Sequence, residues 1–417
     1  LGKIVVGKSE ALRGTVRVSG AKNAALAIIP ATILASDTSV LENVPPISDV
    51  HVYRDILEEL GLQVDYASAA GKMTINADTL NNYRTSSDKV RQLRASSLLL
   101  GPLLARGGEA QIAMPGGCDL GPRPIDYHLK GLAALGAEIS VEHGYIRAKA
   151  KELKGAEIYL DYPSVGATEN IMMAAALAKG TTTLENVARE PEIVDLASFL
   201  NVMGGKVKGA GTDTIKVTGS PRLSGADHAI IPDRIEAGTF IAAAAATGGE
   251  VGLTNVIPKH LDPICAKIRE MGVDIDIKED ALTAYGTDRI KPVDLKTLPY
   301  PGFPTDMQAQ MMAVTCKAQG TSVITETVFE GRYKHVDELK RLGANIKVEG
   351  RSAVVTGVER LSGAAVSATD LRAGAALLLA GFTADGETEI DGAEHIDRGY
   401  AGIEAKFTRL GAKIRRV

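Results

Sequence analysis

The chain has 417 residues and carries 47 Lys and Arg against 51 Asp and Glu, a net charge of -4. Balanced charge with no Lys/Arg-rich run excludes nucleic acid as an obligate partner, and an aromatic content of 4% without Trp leaves no platform for stacked bases. The longest apolar stretches, 238-GTFIAAAAATGG and 373-AGAALLLAGF, reach about half the length of a bilayer-spanning helix, so no membrane partner is expected. Three cysteines, Cys118, Cys265 and Cys316, form no CxxC pair and point to a reduced, cytoplasmic protein.

In chain order, the strand-like LRGTVRVSG leads into a helix rich in small residues, KNAALAIIPATIL, and then into TSVLENVPPISDVHVYRDI, a short alternating strand, a polar loop and an amphipathic helix. That helix ends in LEELGLQV. The succession then returns. Small-residue helices recur as RASSLLLGPLLA, TENIMMAAALA, IEAGTFIAAAAA, MQAQMMAVTCKA and LRAGAALLLAG, and the closing phrase recurs as LAALGAEI, NVMGGKVK, IREMGVDI, LKRLGANI and FTRLGAKI. Each phrase reads as the end of a helix, a glycine at its C-terminal break and the start of a strand. The glycines are Gly61, Gly136, Gly204, Gly272, Gly343 and Gly411, about 70 residues apart, the signature of a duplicated supersecondary unit.

The pattern predicts an α/β fold of six strand-helix-strand-helix-strand-strand units in two domains of three. The small-residue helices meet at each centre and the sheets lie outside, since helices bearing LEEL or DELKR need a wet side. The stretch 217-VTGSPRLSGADHAIIPDR separates repeats three and four. It sets the expected domains at residues 20–229 and at residues 1–19 with 230–417.

Charged residues interrupt the apolar theme at equivalent turns. Lys22 and Asn23 start the first inner helix, Arg94 opens the second, Asp306 precedes the fifth and Arg372 begins the sixth. Cys118 and Arg123 fall in the strand-to-helix loop of repeat two, Arg332 and Arg398 in the same loop of repeats five and six. In a pseudo-threefold arrangement such loops converge, and cationic side chains from two facing domains suit an anionic ligand, Arg by bidentate geometry and Lys as a point charge. Asp306 in FPTDMQ reads equally as a helix N-cap.

In AMPGGCDLGPRPIDYH, Pro115, Gly116, Gly117, Gly121, Pro122 and Pro124 break any regular element and put Cys118 on a loop. No His/Cys set has metal-ligand spacing, so no metal is expected, and no P-loop or dinucleotide fingerprint implies a nucleotide cofactor. Cationic surroundings and glycine N–H groups would lower the thiol pKa and make it a usable acid or nucleophile. Cys265 and Cys316 sit in apolar-periodic helices and read as structural.

From about residue 3 to its C-terminus the sequence resembles the enolpyruvyl transferases. The resemblance is carried by 19-SGAKNAAL, 93-LRASSLLLGPLLA, 114-MPGGCDLGPRPIDYH, 164-SVGATENIM, 190-EPEIVDLA, 232-PDRIEAGTF, 304-PTDMQAQ, 325-TETVFEGRY, 370-DLRAGAAL and 396-IDRGY. A shikimate-pathway member would show a serine-rich SKS stretch in place of AKNAA; a non-enzymatic binding protein with a basic cleft is the other alternative. The resemblance implies a two-domain inside-out α/β barrel, open without ligand and closed on substrates. It implies transfer of the enolpyruvyl group of phosphoenolpyruvate to the 3'-hydroxyl of UDP-N-acetylglucosamine, with release of phosphate, in peptidoglycan synthesis.

By the same resemblance Lys22 and Arg123 bind the phosphoenolpyruvate phosphate and Arg398 its carboxylate, while Arg332 and Arg372 complete the cationic lining. The nucleotide sugar meets Asn23, Arg94, the run Arg123, Pro124, Ile125, Asp126 and Tyr127, and also Val328. The run Tyr162, Pro163, Ser164 and Val165 contributes too. Asp306 is also implied as a contact of the nucleotide sugar, and as the only acidic residue of PGFPTDMQAQMM it is the natural partner of the attacking hydroxyl. Cys118 is implied as general acid and as the site of covalent capture by fosfomycin.

Overall fold

The computed structural model describes residues 2–85, 89–90, 93–114 and 125–417, without the Arg94 side chain. The described residues form two compact units. One, here the C-terminal unit, takes residues 2–19 and Pro232–Val417; the other, the N-terminal unit, falls within residues 20–231. No helix among the described residues is long and apolar enough to cross a membrane.

One strand order recurs in both units. In the C-terminal unit Arg13–Arg17 lies parallel to Glu250–Thr254, which pairs antiparallel with Ala281–Tyr285, itself antiparallel to Asp274–Ile277. The same order runs through Leu295–Lys296, Thr321–Thr325, Ser352–Thr356 and Asn345–Glu349, and through Ala365–Ser367, Glu387–Asp391, Ile4–Gly7 and Lys413–Arg416. In that last sheet the third strand comes from the start of the chain. Strand Ile4–Gly7 takes that place between the sixth-repeat strands, and Lys3 and Val417 exchange backbone hydrogen bonds of 3.0 and 2.9 Å.

The N-terminal unit repeats the order with Asp227–Ala229, Thr38–Glu42, Lys72–Asn76 and Gln63–Ala67, and with Glu157–Tyr159, Thr181–Glu185, Thr214–Thr218 and Lys206–Lys208. Its remaining sheet, Glu109–Ala113, Tyr145–Lys149 and Glu138–Glu142, has three strands. There the parallel neighbour is reduced to a single bridge from Arg84 to Gln111. The central strands alternate in burial, as in Val251 and Leu253 or Thr182 and Leu184, so each sheet presents one face to a core.

The closing phrase has one geometry throughout. Gly61, Gly136, Gly204, Gly272, Gly343 and Gly411 have φ between 89° and 99°. In five of them the glycine N–H bonds three residues back and the following N–H five back, as for Gly343 to Lys340 and Ala344 to Leu339; at Gly272 the first of these bonds, to Arg269, is present. This Schellman arrangement ends the helix and aims the chain into the next strand.

In the C-terminal unit the inner helices Arg234–Thr247, Gln308–Thr315 and Leu371–Thr383 pack on one another. Alanines at 242–245, 375 and 376 are fully buried, and a Cβ on Gly374 would stand 2.4 Å from Ile396 Cγ1. Helix axes this close leave no room for larger side chains. Phe407 joins the stack behind them, with ring centroids 4.8 Å from Phe240 and 4.9 Å from Phe382. In the N-terminal unit Leu100–Gly107 packs on Val165–Ala175, and Lys22–Ala31 on the 3-10 helix Arg94–Leu99.

A second device recurs where a central strand ends. Asn43, Asn186 and Asn255 take φ of 54°, 55° and 56°, and their side-chain amides donate to Ile230 O, Leu160 O and Val18 O at 2.7, 2.6 and 2.7 Å. Asn tolerates this left-handed conformation and ties the turn to the neighbouring chain.

The Schellman geometry yields a stability test. A Cβ at Gly343 meets nothing within 4 Å, so Gly343→Ala carries backbone strain alone, about 1–2 kcal/mol, and lowers the melting temperature by about 2–4 °C. Thermal unfolding followed by circular dichroism checks this, with Gly343→Asn falling between Ala and the parent.

Candidate active site

Asp306 lies in the single 3-10 turn Thr305–Met307 that runs into helix Gln308–Thr315. It does not cap that helix. The turn opens at Pro304 without a side-chain capping bond, and the Asp306 carboxylate faces two guanidinium groups. Its Oδ1 is 2.8 Å from Arg332 Nη2, and its Oδ2 accepts from Arg372 Nη2 at 3.1 Å. The capping aspartates are Asp233, which accepts from Ile235 N and Glu236 N, and Asp370, which accepts from Arg372 N and Ala373 N. Asp370 thereby fixes the first turn of helix Leu371–Thr383, and Arg372 leaves that turn toward Asp306.

Arg332 comes from the loop after strand Thr321–Thr325, and its Nη1 donates to Thr305 Oγ1 at 2.9 Å. Both arginines are buried, at 3% and 2% exposure, while the Asp306 side chain keeps 24%. Two buried cations thus share one carboxylate, and Arg332 Nε and Arg372 Nε and Nη1 have no hydrogen-bond partner among the described residues. Burial works against the charge on Arg372, but Asp306, Tyr400 and Asp233 outweigh it and hold its pKa above the ordinary arginine value. Buried guanidinium groups with spare donors suit an anion.

Arg398 ends the short helix Ala393–Asp397, two residues before Tyr400. The buried Tyr400 hydroxyl is 2.9 Å from Thr239 Oγ1 and accepts from Gln310 Nε2 at 3.2 Å, and the Arg372 guanidinium stands 5.4 Å from its ring centroid. Tyr400 therefore anchors the Arg398 loop to all three inner helices. Val328 is half-buried on the loop that carries Arg332. Asp306, Val328, Arg332 and Arg372 come together, with Arg398 on an anchored neighbouring loop.

In the N-terminal unit Lys22 opens helix Lys22–Ala31, and its Nζ is 3.0 Å from Asp49 Oδ2 in the first turn of helix Ser48–Glu59. Asn23 follows it, half-buried. Arg94 begins the 3-10 segment Arg94–Leu99. Ile125 and Tyr127 are half-buried and Asp126 exposed at the start of helix Asp126–Ala134; Tyr162 is exposed, with Pro163 and Val165 half-buried. Ser164 caps helix Val165–Ala175 by accepting from Ala167 N at 3.3 Å.

The segments around Asp126 and Ser164 are drawn together. Lys130 Nζ donates to Asp161 at 2.8 Å, and Asn170 Nδ2 lies 3.0 Å from His128 Nδ1. Cys118, Arg123 and Pro124 lie outside the described residues. Cys265 and Cys316 are buried, and burial pushes their thiols up to about 11 and about 12.

Sequence reasoning missed Asp49, Gln310, Tyr400 and Glu326. For Glu326 a signal existed: 325-TETV departs from the Asn-Val of the turns at Asn43, Asn186 and Asn255. The Glu326 carboxylate is fully buried and accepts from Thr297 Oγ1, Thr305 Oγ1, Val328 N and Phe329 N.

Residues 6–407 match the EPSP synthase (3-phosphoshikimate 1-carboxyvinyltransferase) family. Among curated relatives, UDP-N-acetylglucosamine 1-carboxyvinyltransferase 1 of Caldanaerobacter subterraneus is 57% identical over 99% of both chains. The protein of that name in Symbiobacterium thermophilum is 58% identical over 97% of this chain and 93% of its own. Among solved structures, the enolpyruvyl transferase NikO from Streptomyces tendae superposes with a TM-score of 0.91 at 26% identity, covering 100% of this chain and 99% of that one. EPSP synthase from Acinetobacter baumannii shares the fold, at a TM-score of 0.80 and 20% identity over the whole of both chains.

Two histidines make the stability pH-dependent. Burial lowers His128 to about 4; at His335 burial leads, Asp370 opposes it and Arg332 adds to it, again reaching about 4. A pKa depressed below the ordinary 6.5 favours the neutral ring, so this stability is complete above about 6.5 and is lost as the pH falls toward 4. The melting temperature should fall across that window, with both rings neutral at pH 6 by NMR of their imidazole protons. Titration of His335 near 6.5 in the folded chain would contradict the burial account.

Proposed function

The chain belongs to the EPSP synthase family, and on that footing we propose that it moves the enolpyruvyl group of phosphoenolpyruvate to the 3'-hydroxyl of UDP-N-acetylglucosamine, in the first committed step of peptidoglycan synthesis. The observation that carries this acceptor, rather than a shikimate, is the 57% identity across 99% of both chains to an enzyme of that name. The fold reading that goes with it is a pair of inside-out α/β barrels of three units each, helices within and sheets without.

The reaction is addition followed by elimination. The 3'-oxygen attacks C2 of phosphoenolpyruvate as a proton reaches the C3 methylene, so a base and an acid are both needed. Asp306 takes the hydroxyl proton, and its ion pairs with Arg332 and Arg372 fix where the carboxylate points. Cys118 gives the proton to C3. Elimination then breaks the bond from C2 to the phosphate oxygen while the Cys118 thiolate takes back a proton from the new methyl group, restoring the double bond, and the proton held by Asp306 leaves with the phosphate.

Lys22 and Arg123 hold the phosphate and Arg398 the carboxylate, while the buried guanidinium groups of Arg332 and Arg372 stabilise negative charge that grows in the transition state. Asn23, Arg94, Val328 and the segments at 123–127 and 162–165 hold the nucleotide sugar. A working Cys118 thiol requires a reducing compartment, which favours the cytoplasm, and the same thiol is the point of covalent attack by fosfomycin.

Phosphate release from phosphoenolpyruvate should depend on UDP-N-acetylglucosamine and not on shikimate 3-phosphate; the reverse dependence would refute the acceptor assignment. Asp306→Asn should lower kcat by about 10² to 10⁴ with a smaller rise in KM for the nucleotide sugar, the pattern of a group that acts in the transition state. Near-parental kcat would remove Asp306 from the chemistry. Mass spectrometry after fosfomycin treatment should find one adduct, on Cys118, absent in Cys118→Ser and Cys118→Asp, with turnover measurable only in the aspartate variant. An adduct on Cys265 or Cys316 would overturn this role, since their raised pKa values leave little thiolate.

A further inference from the structure

We infer that Glu326 is a positioning residue for the Asp306 and Arg332 pair, acting through the Thr305 hydroxyl; its catalytic meaning rests on the function proposed above. The repeats provide an internal control. The residue that follows the central strand is Asn43, Asn186 or Asn255 in three units, and its side-chain amide donates to a backbone carbonyl of the neighbouring chain. The fifth unit has Glu326 at that place, after strand Thr321–Thr325, and Glu326 does not enter the left-handed region. A turn of this kind does not require a carboxylate, and a fully buried one is costly unless its oxygens are filled.

Here they are filled from the loops that carry the site. Oε1 accepts from Thr297 Oγ1 at 2.7 Å, Val328 N at 2.8 Å and Phe329 N at 3.1 Å; Oε2 accepts from Thr305 Oγ1 at 2.8 Å. The bonds from 328 and 329 hold the loop leading to Arg332. The bond from Thr305 has a direction. A hydroxyl owns one proton, and Thr305 gives it to Glu326, so its lone pairs face Arg332 Nη1, which donates at 2.9 Å. Arg332 then presents Nη2 to Asp306 at 2.8 Å. Carboxylate, hydroxyl, guanidinium and carboxylate form one relay in which Glu326 sets the polarity.

Glu326→Gln tests this with little change of volume. With its oxygen kept toward the backbone N–H groups, the amide nitrogen faces Thr305 and the hydroxyl proton loses its acceptor; flipped, the amide opposes two N–H donors. We expect kcat to fall about 10- to 100-fold, the scale of a slightly misplaced catalytic group, with KM for UDP-N-acetylglucosamine changed less than about threefold. In an Asp306→Asn background the same change should cost several-fold less than in the parent, because the carboxylate it positions is gone and only its hold on Arg332 remains. A kcat for E326Q within twofold of the parent, or the full loss repeated in that background, would overturn the inference.

If E326Q does not fold, Thr305 decides: Thr305→Ser keeps the hydroxyl and should retain activity, whereas Thr305→Val should lose it, and the opposite order would indicate a packing role for the methyl group. If the parent releases no phosphate with UDP-N-acetylglucosamine, the functional reading fails, and crystal structures of the parent and of the Thr305→Val variant decide the positioning claim. Arg332 displaced from Asp306 only in the variant supports it, and an unchanged pair overturns it.

Discussion

The sharing of one carboxylate between two buried guanidinium groups is the constraint on which the C-terminal unit's site depends. Asp306 is the carboxylate that Arg332 and Arg372 share, and each arginine retains N–H groups without partners among the described residues. Removing such cations from water is expensive, and every N–H group left without an acceptor adds to that cost. On the proposed function those donors meet a substrate bearing phosphate and carboxylate, so burial that weakens the free protein would favour the complex and the charged transition state.

The fold holds this arrangement with parts that recur. Each closing phrase turns the chain with a left-handed glycine, three central strands end in a turn tied by asparagine, and each inner helix is thin enough for the three of the C-terminal unit to meet. Loops at the helix N-termini are thereby presented from fixed backbones, and the site arises where the repeat is broken. Asp306 and Arg372 stand at the starts of two inner helices, Arg332 on the loop of the fifth repeat, and Glu326 where three of its counterparts are asparagine. Tyr400 secures the Arg398 loop in the same way, from below, through Thr239 and Gln310.

Local features were legible in the residues and long-range pairings were not. A glycine flanked by a helical phrase and a β-branched or alternating one can do little else than end the helix, so Gly61 and its five counterparts announced their turns. The small-residue helices were equally plain, because Ala and Gly runs such as 242–246 fit only where backbones approach closely. Asp306 misled by its neighbourhood: a proline two residues before and a helix after suit a cap, but its partners are 26 and 66 residues away in sequence, and no local pattern encodes them. The missing strand of the sixth repeat was hidden for the same reason, since residues 4–7 supply it from the other end of the chain. Glu326 was concealed by a resemblance that was too good; one substitution inside a repeated turn reads as drift until its four hydrogen bonds are seen.

The central claim is that Asp306 receives the proton of the attacking hydroxyl. Its most direct test is a crystal structure of the protein with UDP-N-acetylglucosamine alone, in which no turnover can occur. The account predicts the sugar 3'-oxygen within about 2.6–3.2 Å of an Asp306 oxygen, with both arginine pairs to that carboxylate kept. A well-ordered sugar whose 3'-hydroxyl bonds to another side chain, with Asp306 still closed on Arg332 and Arg372, would contradict it.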